Sequence, residues 1–410
     1  DVLAEALSAA TPPPPELAVA LAAELAARLR AQAPRPSAGI LVPSSRGSVE
    51  PVERVFVDDA PWRRQREIVT LHPGVSSDDG RLLGCRSLRE RLASECEDGE
   101  AVAVPNRGGH DAIGWLRRCL QNLGEDLSLS LARHADAMGA KKVALFLQED
   151  GWGAECVLDA RASRLQGAAL FFCIDRELAT QDVERMQRLL VCDDADAERN
   201  GIFGEVLTAM YSYSDCPQLL INGRLHFLDL TGEFVRRRGD GVPCRSFVVD
   251  RVRQNFPDTF APFETPGLAE YPTVFRLPLR TTRSELGERQ VPQHLRDEMR
   301  RAAAVSDKVL LFARHLRSLE FRDGPTLIAS HAAEPRDPAG LAAFFEALPS
   351  DPQGWQDRAP ASHLSGITIT SAGEVSDEVS EWVVSVVAGL PCGCTAETST
   401  PRPASLAPMG

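Results

Sequence analysis

Seven consecutive apolar residues, Ala168 to Ile174, end abruptly at Asp175. A run this short, rich in Phe and ending in a β-branched residue, predicts a buried strand. Around it, helical and extended patterns alternate. Ile113, Leu116 and Leu120 share one helical face, and Leu127, Leu131, Ala135 and Met138 share another. Gly139 stops that second helix, and Lys142 to Leu147 reads as the next strand. Gln181 to Leu190 and Phe203 to Met210 read as helices, separated by the polar loop Asp193 to Asn200. Leu219 to Ile221 and Arg224 to Asp229 flank Asn222-Gly223, the strongest hairpin signal in the chain. Thr273 to Leu279 is a further strand, and Val291 to Ala304 is a charged amphipathic helix leading to Val309-Leu310-Leu311-Phe312. Strands at Ile367 to Thr370 and Trp382 to Val387 follow. Upstream, Leu17 to Arg30 reads as an Ala-rich helix, Ile40 to Val42 and Val55 to Val57 as short strands, and 80–95 as one helix carrying Leu82, Leu83, Leu88 and Leu92. A hairpin inside a strand–helix alternation predicts an α+β, two-layer fold: a mixed sheet with helices on one face.

Composition removes several function classes. With 58 acidic against 45 basic residues and a net charge of −13, the chain lacks the cation excess that holds a nucleic-acid backbone. No run of about eighteen apolar residues would span a membrane, and the apolar stretch Leu17 to Leu29 is broken by Glu24 and Arg28, unlike a signal peptide. The ten cysteines include one C-x-C, Cys392 and Cys394, and no clustered set of four soft ligands. They read as reduced thiols, so a cytoplasmic location is expected.

Three places carry chemistry by residue type. Arg133-His134-Ala135-Asp136 lies on the last turns of a helix, either as a general-base or metal pair or as a solvated face. Asp175 follows a buried strand, where α/β sheets gather their ligands, although an Asp there also caps turns. Gly201-Ile202-Phe203-Gly204 opens a helix whose backbone N–H groups could receive a phosphate, or simply permits a turn. A Walker A lysine and a G-x-S-x-G elbow are both missing.

The order of these features resembles the GHKL (Bergerat) ATPases, which include gyrase, the ninety-kilodalton heat-shock chaperone and the histidine kinases. Within them the texture is similar to the sacsin-type repeat. Ser130-Leu131-Ala132-Arg133-His134-Ala135-Asp136-Ala137-Met138-Gly139-Ala140 corresponds to that family's E-L-I-Q-N-A-D-D-A-G-A helix. Leu170 to Asp175 corresponds to its strand ending in N-D. Gly201 to Gly204 and Tyr211-Ser212-Tyr213-Ser214-Asp215-Cys216-Pro217 follow its G-R-F-G-I-G-F-N-S-V-Y-H-x-T-D-x-P string. Pro272-Thr273-Val274-Phe275-Arg276-Leu277-Pro278-Leu279-Arg280 follows its G-T-L-F-R-x-P-L-R. Leu41-Val42-Pro43, Asp59-Ala60-Pro61-Trp62 and Leu83 to Leu88 extend the likeness, which covers roughly 40–320.

The resemblance implies that Asp136, Asp175, Gly201, Gly204 and Thr273 stand at nucleotide-contact positions, Asp175 at the contact to the adenine amino group. The general-base glutamate position is Ser130 and the Mg²⁺-ligand asparagine position is His134. A serine hydroxyl is no substitute for a carboxylate base, and Mg²⁺ prefers oxygen to imidazole. Val206 replaces a third glycine, and Glu205 adds negative charge near where phosphates would lie. The expected cofactor is therefore ATP or ADP, weakly bound or absent, without Mg²⁺.

The resemblance also predicts the end of a preceding repeat at 1–100, the ATPase-type domain at 101–322, a β-rich extension at 323–392 and a disordered tail at 393–410. A chain opening at Asp1 without Met is expected of a piece of a multi-repeat protein. The leading functional expectation is a sacsin-like chaperone or scaffold module with a degenerate, non-hydrolysing site and protein clients or chaperone partners. Two alternatives stand beside it: a slow ATPase using Glu125, Asp126 or Asp136 as its base, and an interaction domain with no nucleotide at all.

Overall fold

The computed structural model describes residues 14–31, 40–63, 67–97, 112–121, 127–189, 201–236, 244–348, 361–374 and 377–388. The chain forms two compact units interleaved in sequence. The smaller takes Asp1–Pro105, Gly151–Gly167 and Gly223–Pro266; the larger takes Asn106–Asp150, Ala168–Asn222 and Gly267–Gly410. These boundaries differ from the expected divisions at 100, 322 and 392, because two inserts from the middle of the chain join the N-terminal stretch.

The larger unit is built on β1 (Lys142–Gln148), β2 (Ala169–Ile174), β3 (Gln218–Ile221), β4 (Thr273–Pro278), β5 (Ser318–Asp323), β6 (Thr326–Pro335), β7 (Ala361–Ala372) and β8 (Glu378–Ala388). Within this unit the strand order is β3-β4-β2-β1-β5-β6-β7-β8. The sheet is mixed, as expected: β1 and β5 run parallel, and the other neighbours are antiparallel. Every residue of β2 and β4 is buried, which explains the uninterrupted apolar run that marks β2 in the sequence. Phe172 and Phe275, directly opposite in the β2–β4 register, stack with ring centroids 5.4 Å apart.

Its helices are α1 (Ala112–Gln121), α2 (Leu127–Ala137), α3 (Thr180–Leu189), α4 (Gly201–Tyr213), α5 (Pro292–Phe312) and α6 (Pro338–Glu346). Helix α4 packs against α1, α2 and α3, and α2 also packs against α5. Helix α5 starts with Pro292 in its first turn and buries Leu295, Met299, Ala302, Ala303, Ser306 and Leu310. That spacing continues past Ala304, so the helix absorbs Val309 to Phe312 instead of ending where the charged pattern fades. Strands β5 and β6 and helix α6 were not anticipated, and β6 to β8 extend the same sheet beyond β5.

In the smaller unit, helix Pro15–Ala31 lays Ala18, Ala22, Leu25 and Ala26 against Val42, Val55, Val57, Leu71 and Leu83. The single helix expected over 80–95 is instead two, Ser77–Leu83 and Leu88–Cys96. Gly84 takes a left-handed φ of 103° that ends the first. Ser76 accepts from the N–H of Asp79 and Ser87 from that of Glu90, so each helix has its own N-cap. The turn predicted at Asn222-Gly223 is present, with φ of 50° and 67°. Cys85, Cys96, Cys119, Cys156, Cys173, Cys216 and Cys244 are free thiols. Among the described residues no helix is long and apolar enough to cross a membrane.

Candidate functional site

The end of β2 brings two of the sequence-predicted residues together. Thr273, at the start of β4, stands opposite Ile174 in the register, next to Asp175. Its buried hydroxyl donates to the carbonyl of Arg176 at 2.7 Å and accepts from the N–H of Leu178 at 3.4 Å, holding the turn that leaves β2. Asp175 Oδ1 accepts from the N–H groups of Lys141 (2.8 Å) and Lys142 (2.9 Å), the residues that lead into β1.

Helix α2 carries the next three. Its buried face is Leu131, Ala132, His134 and Ala135, with Ser130 half-buried beside it. His134 is only 8% exposed. Burial, and to a lesser degree the Arg133 charge, pushes its imidazole down to about 4, so it is neutral at pH 7. Asp136 is half-buried. Its carboxylate accepts from the N–H groups of Arg314 (3.0 Å), His315 (2.6 Å) and Leu316 (2.7 Å), the loop between α5 and β5. Asp136 and Asp175 therefore each stitch the backbone leading into one of the two parallel strands, β5 and β1.

Gly201 and Gly204 both lie within helix α4, which opens at Gly201. The acidic run Asp193-Asp194-Ala195-Asp196 and the alternative bases Glu125 and Asp126 lie outside the described residues.

One acid at this site has no local signal in the sequence. Glu298, on α5, accepts with Oε1 from the backbone N–H and the hydroxyl of Ser128 (3.1 and 3.0 Å) and from the hydroxyl of Tyr213 (2.7 Å). It supplies an acceptor to the first turn of α2, where helical N–H groups lack partners. Burial first, then the adjacent carboxylate, raises the Tyr213 hydroxyl well above its ordinary range.

The two most specific strings of the sequence also meet. The fully buried Arg276 donates from Nη1 to Gln218 Oε1 at 3.0 Å, and burial pushes its guanidinium down to about 9. Arg280 donates to Asp215 Oδ1 (2.6 Å) and to the carbonyls of Tyr211 (2.8 Å), Ser212 (3.1 Å) and Glu288 (3.2 Å). A guanidinium fork thus satisfies last-turn carbonyls of α4 that the helix itself leaves open. Gln290 adds a bond to Ser212 O at 3.0 Å, and Ser284 one to Asp215 Oδ1 at 2.7 Å. Arg280 thus holds the Tyr211–Pro217 string, and Arg276 holds the Gln218 that follows it.

A cavity of about 310 Å³ lies within the smaller unit and contains none of the sequence-predicted site residues. Its lining includes Arg81, Arg89, Arg236, Arg245, Asp59 and Asp159. Three of the arginines are matched internally. Arg81 pairs with Asp59, Arg236 with Glu90 and Arg245 with Glu97. Arg89 donates to the Asp59 carbonyl and lies 4.8 Å from the Trp62 ring centroid. The lining thus carries four arginines against three acids, Asp59, Glu90 and Asp159.

A family model described as Sacsin domain matches residues 121–336, more than half of the chain. No curated protein matches it.

Proposed function

The chain belongs to the Sacsin domain family, and from that premise we propose that it is a sacsin-like scaffold module of the GHKL type that does not hydrolyse ATP and acts through protein–protein contacts. The observation that carries this reading is the state of the residues at the expected catalytic positions. Ser130 offers a hydroxyl in place of a carboxylate base, and His134 a buried neutral imidazole in place of an amide oxygen. That donor set does not fit Mg²⁺, which takes hard oxygen ligands in near-octahedral geometry. Two carboxylates at expected nucleotide-contact positions, Asp136 and Asp175, engage backbone N–H groups. Bonds of this kind support a structural role for both carboxylates.

On this reading any nucleotide held beside Asp175 and Thr273 is ATP or ADP bound without Mg²⁺ and without turnover. The module works in a cytoplasmic setting on client segments, other repeats or chaperone partners. Calorimetric titration of the 410-residue chain with ATP and ADP, with and without Mg²⁺, tests this together with a phosphate-release assay. Magnesium-dependent release that disappears in Asp175→Asn would overturn the proposal in favour of a slow ATPase. Absence of both binding and release would leave a plain interaction domain.

A further inference from the structure

We propose that the cavity of the smaller unit binds a monocarboxylate carried on a small apolar body, with the Arg89 guanidinium as its counter-charge. Three of the four arginines that line this cavity have an acid of their own: Arg81 has Asp59, Arg236 has Glu90 and Arg245 has Glu97. Arg89 differs. Among the described residues no carboxylate comes within ion-pair reach of its guanidinium. Its partners are the carbonyl oxygens of Asp59 at 3.0 Å and Glu155 at 3.5 Å, and the face of the Trp62 ring.

The acids nearest to it are engaged elsewhere. Asp59 accepts from the backbone N–H of Arg89 (2.9 Å), the Ser87 hydroxyl (2.6 Å) and Arg81 (3.1 Å). Asp159 accepts from the N–H groups of Arg161 (3.0 Å) and Arg236 (2.9 Å) and from the Arg161 guanidinium. Burial lowers the Arg89 guanidinium below its ordinary value, and the attraction of Asp59 and Asp159 does not offset it. A half-buried cation in that state is stabilised by an anion that enters the cavity. The outlying partners Glu97 and Arg161 cancel in charge. Asp78, 3.5 Å from Arg81 and 82% exposed, is screened by water.

The size of the surplus sets the ligand class. Four lining arginines against three lining acids leave one positive charge. One carboxylate neutralises it and matches the planar guanidinium fork. A phosphate dianion would overshoot and face Asp59, Glu90 and Asp159. The rest of the wall is apolar: Ala93, Leu158 and Val235 are buried, and Ala160 adds to them. At about 310 Å³ the cavity has room for one short-chain acid. The same chemistry is carried by a free small acid and by the last residue of a polypeptide with its terminal carboxylate.

Calorimetric titration of the 410-residue chain tests the proposal, using N-acetyl-L-leucine, N-acetyl-L-leucinamide and a hexapeptide that ends in a leucine carboxylate. The expected result is saturable binding of an acid and none of the amide. The dissociation constant should rise about ten- to hundredfold in Arg89→Gln, the loss of a charged hydrogen bond. Ala160→Phe, which narrows the cavity and leaves every charge in place, should also weaken binding. Unchanged melting of both variants shows that they fold. Tighter binding of the hexapeptide supports a polypeptide end as the ligand, and tighter binding of the free acid supports a small molecule. O-phospho-L-serine bound more tightly than N-acetyl-L-leucine overturns the monocarboxylate. No saturable binding of either acid by about 1 mM, or binding that either variant leaves unchanged, overturns the site.

Discussion

Arg280 Nε donates to Asp215 Oδ1 at 2.6 Å, with the two side chains only 1% and 13% exposed. The pair fixes the end of α4 to the segment that follows β4, and the same guanidinium bonds three carbonyl oxygens. Removing one partner of a buried pair strands the other charge in a poorly solvated place. Arg280→Ala is expected to destabilise the larger unit by about 3–5 kcal/mol, read from the denaturant midpoint. Arg280→Lys should recover little, because a single ammonium cannot reproduce the planar fork. Full stability in either variant would show that the clamp is not a principal fastening of α4.

Asp136 binds three consecutive backbone N–H groups at 2.6 to 3.0 Å. Hydrogen bonds to a charged acceptor contribute about 1.5–3 kcal/mol each at most, and the three are not additive. Asp136→Ala should therefore cost about 2–3 kcal/mol in urea unfolding, with Asp136→Asn intermediate. The same loss is expected with and without saturating ATP, since the carboxylate serves the loop. A deficit that appears only in the presence of nucleotide would assign Asp136 to the ligand instead.

His134 and His226 are both held near 4, in each case chiefly by burial. His331, whose ring nitrogens bond Ser371 Oγ and Ala303 O, is shifted in the same direction. The unfolded chain, with histidines near 6.5, binds more protons than the folded one as the pH falls below that value. Stability is therefore complete above about pH 6.5 and declines toward pH 4. Each of the two deeply shifted histidines should account for about 2 kcal/mol of loss by pH 5. Chemical denaturation at pH 7, 6 and 5 gives the slope, which should flatten in His134→Gln. An unchanged slope in that variant would place the proton uptake elsewhere.

On the proposed reading, placing an acid and an amide at the two positions with Ser130→Glu and His134→Asn is expected not to produce ATP hydrolysis. The helix position of residue 134 is buried against its neighbours, and Asp136 and Asp175 remain tied to the backbone. A phosphate-release assay decides this. Turnover above that of the unaltered chain would mean that the pocket is otherwise competent and that only two side chains separate it from a working ATPase.

Much of the larger unit's framework was legible because its signals are local. The apolar run at β2, the face of α2 and the Asn222-Gly223 turn each depend on residues within one element. The division of 80–95 into two helices was missed: Gly84 and the Ser87-x-x-Glu90 spacing mark it, but the leucine pattern runs across the break. Strands β5 and β6 were hidden by their polarity: Glu320 and Arg322 pair with each other on a half-buried β5. The site was less legible because its bonds are long-range. Ser128 and Glu298 are 170 positions apart, and no spacing rule reaches that far. The strings around Tyr211 and Phe275 stood out as patterns, yet only the bonds of Arg280 to Tyr211, Ser212 and Asp215 show how the two meet.

The interleaving of the two units has a kinetic side. Residues as early as Ala18 and Val42 belong to a unit whose last segment ends at Pro266. At roughly 5–20 residues per second of synthesis, about ten to thirty seconds separate the appearance of Pro105 from that of Pro266. During that interval the helix Leu88–Cys96 is made but lacks Val249–Asn255, which packs against it, while the larger unit also waits for strands that follow Gly267. Contacts of such long sequence separation slow closure and lengthen exposure of the nascent chain. The architecture thus leaves contacts of both units unmade until late in the synthesis of the chain.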